Sequence, residues 1–125
     1  MTPKFYRCSH CGNIVEMIED HNVPVMCCGQ KMTEIIPGTV EASVEKHLPV
    51  ATLKCKKLTV EVGSVEHPMT EAHYIPWVYV VTNKGNYRKN LLPTDKPVAV
   101  FNLGDEKPLE VYAYCNLHGL WKIEF

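Results

Sequence analysis

Trp121-Lys122-Ile123-Glu124-Phe125 alternates apolar and charged residues without a break, the period-two pattern of a β-strand with one face toward a core. Trp121, Ile123 and Phe125 then point one way, Lys122 and Glu124 the other. Working outward, Leu58-Thr59-Val60-Glu61-Val62 repeats the pattern. Tyr74 to Val81 is apolar on both faces, which predicts a central strand or one at a subunit interface. Val98 to Leu103 and Glu110 to Cys115 supply two more strands, and Asn83-Lys84-Gly85-Asn86 is a turn. Nine prolines in 125 residues argue against long helices, so only one short helical turn is expected, around Glu41 to Glu45. Short strands with frequent turns predict a mainly β chain whose larger part, residues 38–125, is an immunoglobulin-like β-sandwich.

The composition shifts near Pro37-Gly38. Before it, four of the six cysteines lie between Cys8 and Cys28 and apolar residues are sparse. A unit of roughly 36 residues buries too little surface to fold unaided. Residues 1–36 are therefore expected to be a metal-stapled minidomain. Apolar residues make up 46% and charged residues 22%, a globular composition, and a net charge of −1 offers no basic field for nucleic acid. The longest apolar run, Trp77 to Val81, is too short to cross a bilayer, and the N-terminus carries no signal-like apolar segment. A cytoplasmic chain is expected. There, six cysteines serve as metal ligands rather than disulfides, whereas secretion would permit a three-bridge framework.

Cys8, Cys11, Cys27 and Cys28 form a C-x2-C, fifteen-residue, C-C pattern. A two-residue spacer turns both sulfurs onto one ion. Adjacent cysteines share an ion only on a tight turn, which Gly29 permits, as Gly12 does after Cys11. Four thiolates fit zinc or a single iron equally. The bland role is a staple, the sharper one an electron-carrying iron. His10 and His21 lie beside four sufficient ligands and are expected to be solvated.

The remaining histidines, His47, His67, His73 and His118, stand beside turn signals, and Cys115-Asn116-Leu117-His118-Gly119 makes a Cys-x2-His pair just past a strand. Singly, each histidine reads as an ordinary loop or core residue. A structural zinc site would use four of the five and leave one idle. Using all five gives four imidazoles and one thiolate, a set that suits redox-active iron better than magnesium or calcium.

Four motifs occur in order: C-x2-C-x15-C-C-G, then Glu45-Lys46-His47-Leu48-Pro49-Val50, then His67-Pro68-Met69 with His73-Tyr74-Ile75, then Tyr114-Cys115-Asn116-Leu117-His118-Gly119-Leu120-Trp121-Lys122. With them the whole chain resembles desulfoferrodoxin, the two-iron form of superoxide reductase. The resemblance implies a desulforedoxin-like domain over residues 1–36 with a four-cysteine iron. It implies a neelaredoxin-like superoxide reductase domain over 38–125, with four equatorial histidines and axial Cys115 on iron. It also implies a homodimer, and rubredoxin or a similar carrier as the electron donor. Superoxide would take one electron at the position opposite Cys115, and two protons would release hydrogen peroxide. Lys46 would focus the field for superoxide on a slightly anionic protein, although without the resemblance it reads as a solvated lysine. Glu45 resembles the family's mobile carboxylate. Cys55 matches no ligand of the family.

Three rival functions would each leave a different trace. An electron carrier would keep the second metal closed to solvent. A structural zinc module would hold no iron. A dismutase would evolve oxygen without a reductant.

Overall fold

The computed structural model describes residues 2–125, and the chain divides into two compact units, Met1–Ile36 and Pro37–Phe125.

In the first unit, β1 (Phe5–Arg7) lies between β2 (Ile14–Glu16) and β5 (Thr33–Glu34), all antiparallel. Between them, β3 (Met26–Cys27) and β4 (Gln30–Lys31) form a two-residue hairpin. Its turn residues are Cys28 and Gly29, at φ +53° and +74°. Positive φ at both central positions is the pattern of a type I′ turn. The tight turn expected of the adjacent cysteines is therefore present, with Cys28 itself in the left-handed region.

The second unit is a seven-stranded antiparallel sandwich. One sheet runs in the order β10 (Val98–Asn102), β7 (Lys57–Val62), β6 (Pro49–Lys54). The other runs β12 (Gly119–Glu124), β11 (Pro108–Cys115), β8 (Trp77–Thr82), β9 (Asn86–Asn90). Period two aims Leu58, Val60 and Val62 of β7 and Ala99 and Phe101 of β10 at Val78 and Val80 of β8 and Val111, Ala113 and Cys115 of β11. Each fully buried aliphatic side chain here stabilises the fold by roughly 1.5–3 kcal/mol. Cys115 thus belongs to the core by its strand phase, at the last position of β11.

Several expectations shift. The helical turn is α1, Val44–His47, later than Glu41 to Glu45, and it carries a candidate ligand. Tyr74 and Ile75 precede β8 rather than joining it. β8 pairs with both β11 and β9 and its residues Val78 to Val81 are buried, so it is a central strand. Phe125 lies beyond β12 and is exposed. Cys55 sits with Lys56 in the β6–β7 turn, both at positive φ, and is an exposed thiol. All six cysteines are free of disulfides.

The pairing registers gather one end of the sandwich. Pro49 opposes Val62, so the start of β6 and the end of β7 coincide. Trp77 opposes Tyr114 and Cys115 opposes Gly119, which brings together the start of β8, the end of β11 and the start of β12. His47, His67, His73, Cys115 and His118 all lie at or just beyond these termini.

Two candidate metal centres

The first centre is built by two turns. Gly12, at φ +83°, closes the first, where Gly12 N donates to Cys8 O at 2.9 Å; the β3–β4 hairpin is the second. The four sulfurs of Cys8, Cys11, Cys27 and Cys28 lie within 4.8 Å of one another. Cys11 Sγ and Cys27 Sγ are 3.6 Å apart, and Cys27 Sγ and Cys28 Sγ 4.0 Å. Backbone N–H groups of Cys11 and Asn13 point at Cys8 Sγ and Cys11 Sγ. The Cys11 amide, as the leading cause, pulls the Cys8 thiol down to about 6, while hydrogen bonding with Cys11 pushes the Cys28 thiol up to about 12 and raises Cys27. Four thiols this close cannot all ionise unless a cation neutralises them. The donor set fits a thiophilic metal. His10 and His21 are both exposed, and neither ring is among the clustered ligand atoms.

The second centre is assembled from α1, the β7–β8 connection and the β11–β12 turn. His47 Nε2 lies 3.2 Å from His67 Nε2 and 3.1 Å from His118 Nδ1. Cys115 Sγ lies 3.8 Å from His118 Nδ1, and the ligand atoms of His47, His67, His73 and Cys115 fall within 4.8 Å of one another. Ring centroids are 4.7 Å apart for His47–His67, 4.7 Å for His67–His73, 5.1 Å for His73–His118 and 4.9 Å for His118–His47, each pair steeply inclined. His47 and His73 are 6.3 Å apart across the middle. The four imidazoles therefore form a closed cycle, and the thiol of Cys115 approaches it from the core.

Two of the rings are held by backbone carbonyls. His47 Nδ1 donates to Ser43 O and His67 Nδ1 to Pro68 O, both at 2.7 Å. These carbonyls fix the tautomer and turn the bare Nε2 of each ring inward. Trp121, which sequence reading assigns only to a strand face, stacks on His47 at 5.1 Å and donates from Nε1 to His118 O at 3.1 Å. No spacing signal marks that role. His118 N donates to Cys115 Sγ at 3.4 Å.

Electrostatics disfavour the charged forms of three of the rings. Burial lowers His47 and His73 and drives His67 down to about 4, and the Lys46 ammonium adds to the lowering at His47 and His73. Burial pushes the Cys115 thiol up. The bare Nε2 atoms of His47 and His67, 3.2 Å apart, repel one another, and His73 Nε2 is buried with no hydrogen-bond partner. A cation at the centre satisfies all of these groups at once, so this set too fits a metal.

His47, His67 and Cys115 are 3%, 1% and 0% exposed, whereas His73 and His118 are half-buried. The core side of the centre is closed, and its partly exposed residues lie on the other side. Glu45 and Lys46 are exposed on α1, next to His47. The Glu45 carbonyl accepts from Val65 N at 2.9 Å and Ser64 Oγ at 3.2 Å, but its carboxylate is not among the clustered ligand atoms.

Comparison with known proteins agrees with this geometry. Residues 39–124 match the family model described as desulfoferrodoxin, and residues 2–35 the model of the desulfoferrodoxin N-terminal domain. The chain is 46% identical over 119 residues to the desulfoferrodoxin of Syntrophotalea carbinolica, covering 95% of this chain and 94% of that one. It is similar to the crystal structure of the superoxide reductase from Treponema pallidum, with a TM-score of 0.84 and 36% identity over 99% of this chain and 100% of that chain. The one-iron superoxide reductase of Giardia intestinalis matches 65% of this chain and 99% of its own, with a TM-score of 0.53 and 34% identity. Two stapled turns of cysteines and a cycle of four histidines over a buried thiol occur together in a chain that belongs to the desulfoferrodoxin family.

Proposed function

We propose that the chain is a superoxide reductase that converts superoxide to hydrogen peroxide at the centre formed by His47, His67, His73, His118 and Cys115. The observation that carries this reading is the cycle of four imidazoles with the buried Cys115 thiol on its core side and two partly exposed rings, His73 and His118, on the other. Iron held there supplies the single electron, with charge donation from the Cys115 thiolate as in other thiolate-ligated iron.

The chain's own residues do the rest. Burial disfavours the charged forms of His47, His67 and His73, which leaves their rings available as ligands. Lys46 places a positive charge whose field reaches His47 and His73, so it draws a small anion to the same place. Glu45, the residue before it, is the carboxylate proposed to gate that position. The exposed side admits water, from which protons reach the product.

The four-cysteine centre is proposed to hold iron, with zinc as the alternative, and to be accessory to the reaction. Similarity to a one-iron superoxide reductase over only 65% of this chain supports that ranking. Rubredoxin or a similar small carrier is the proposed donor. A homodimer is proposed on the family resemblance alone. A cytoplasmic setting is proposed because five of the six cysteines are grouped with potential metal ligands, the use expected of cysteine in a reducing compartment. Among the described residues no helix is long and apolar enough to cross a membrane.

A superoxide pulse against the iron(II) protein tests the function. Stoichiometric peroxide, no dioxygen and oxidation of one iron are expected. Dioxygen released without a reductant would indicate a dismutase, and no iron oxidation would overturn the reading.

A further inference from the structure

Carbonyls grip the His47 and His67 rings, but among the described residues none grips the His73 ring. Its placement depends on the backbone that carries it. Asn116, in the β11–β12 turn between Cys115 and His118, reaches that backbone from 42 to 44 positions away. Its Oδ1 accepts from Tyr74 N at 2.9 Å and its Nδ2 donates to Ala72 O at 3.0 Å. Asn116 N also donates to Tyr74 O at 3.2 Å. The two side-chain bonds fall on the residues flanking His73. The amide orientation follows from its partners, because a backbone N–H can only donate and a carbonyl only accept. One side chain therefore ties the His73 segment to the turn that supplies Cys115 and His118.

Thr70 bonds the backbone N and O of His73 itself, and we propose that Asn116 is the residue that positions this local turn on the metal centre, fixing His73 Nε2 against the other ligands and thereby setting the metal affinity of the second centre. The proposal rests on the reading of those five residues as a metal site. Among the uncharged side chains of similar length, only a primary amide both donates and accepts here. Aspartate keeps the acceptor for Tyr74 and loses the donor for Ala72, while alanine loses both.

The test titrates the full chain with cobalt(II) and follows its ligand-field absorption, with total metal as a check. The four-thiolate ion gives intense tetrahedral bands that separate it from the second centre. Asn116→Ala is expected to weaken cobalt binding at the second centre by about 10–100-fold, Asn116→Asp by less, and neither to change the four-cysteine bands. In a His73→Ala background, adding Asn116→Ala is expected to have no further effect, since its action runs through that ligand. A merely structural role would weaken both backgrounds alike and would overturn the proposal. So would Asn116→Ala matching the unsubstituted protein while His73→Ala weakens binding. If the unsubstituted protein binds no cobalt at the second centre, the metal reading itself falls. Should Asn116→Ala fail to fold, Asn116→Asp carries the same comparison.

Discussion

His47 Nε2 stands 3.1 Å from His118 Nδ1, so two histidines 71 positions apart present different ring nitrogens to the same point. His47 must use Nε2 because its Nδ1 is engaged by Ser43 O. His118 follows Cys115 by three residues with its backbone N–H on that sulfur, and presents the ring nitrogen nearer its own backbone.

That difference predicts how each ligand tolerates amides. An asparagine side chain ends near the place of Nδ1 and a glutamine near that of Nε2. His118→Asn is expected to retain more metal at the second centre than His118→Gln, and the order should reverse at His47. All four are expected to bind more than about tenfold more weakly than the unsubstituted chain. Metal-to-protein ratios after dialysis against a weak chelator measure this, and the same order at both positions would contradict it.

The candidate ligands were legible because histidine and cysteine beside turn signals are conspicuous, and β7, β10 and β11 because one face is apolar and the other polar or mixed. β9, Asn86–Asn90, escaped because every residue in it is exposed, leaving no period to read. β6 escaped because Val50 and Leu53 are exposed among its polar residues. The helical turn was displaced toward the chain start, since four residues carry no helical period. Trp121 and Asn116 act across sheets and turns, through contacts that depend on pairing rather than on spacing.

Lys46→Ala is expected to slow capture of superoxide by roughly tenfold at low ionic strength and to flatten its salt dependence. Pulse radiolysis at several salt concentrations checks this. An unchanged second-order rate at low salt would remove Lys46 from the mechanism.

Cys11 Sγ is exposed and 3.6 Å from Cys27 Sγ. Cys11→Ser is expected to weaken metal binding at the first centre and to lower hydrogen-exchange protection in β1, β2 and β5. The reaction of the prereduced second centre with superoxide should be unchanged, and rubredoxin should still reduce that centre. A large fall in the rubredoxin rate, in a variant that remains folded, would make the first centre an obligatory relay.

Glu106 accepts from Thr82 Oγ1 at 2.6 Å and from the Tyr87 hydroxyl, and these bonds, Thr82 first, lower its pKa. A depressed carboxylate binds fewer protons folded than unfolded, so its stabilisation is present above the unfolded value near 4.5. It is lost as pH falls through the folded value. Glu106→Gln should therefore lower the urea midpoint at pH 7, with the difference closing in acid. A gap independent of pH would assign the effect to packing.

Gly63 has no room for a side chain. A Cβ there would lie 2.5 Å from Glu45 O, 2.9 Å from Lys46 C and 3.0 Å from Leu48 O, all backbone atoms that cannot swing aside. Its neighbours Ser64 and Val65 bind the same Glu45 carbonyl, so this turn seats the segment that carries Glu45, Lys46 and His47. Gly63→Ala is expected to cost about 3 kcal/mol and to displace α1 from the second centre. Superoxide consumption should fall with second-centre metal affinity, while the first centre stays loaded. Ser64→Ala removes one of the two bonds to Glu45 O and should cost only about 1 kcal/mol. Urea unfolding of both variants, with metal analysis of each centre, measures the pair. A Gly63→Ala protein with full stability and full second-centre occupancy would show that α1 is seated by something other than this turn.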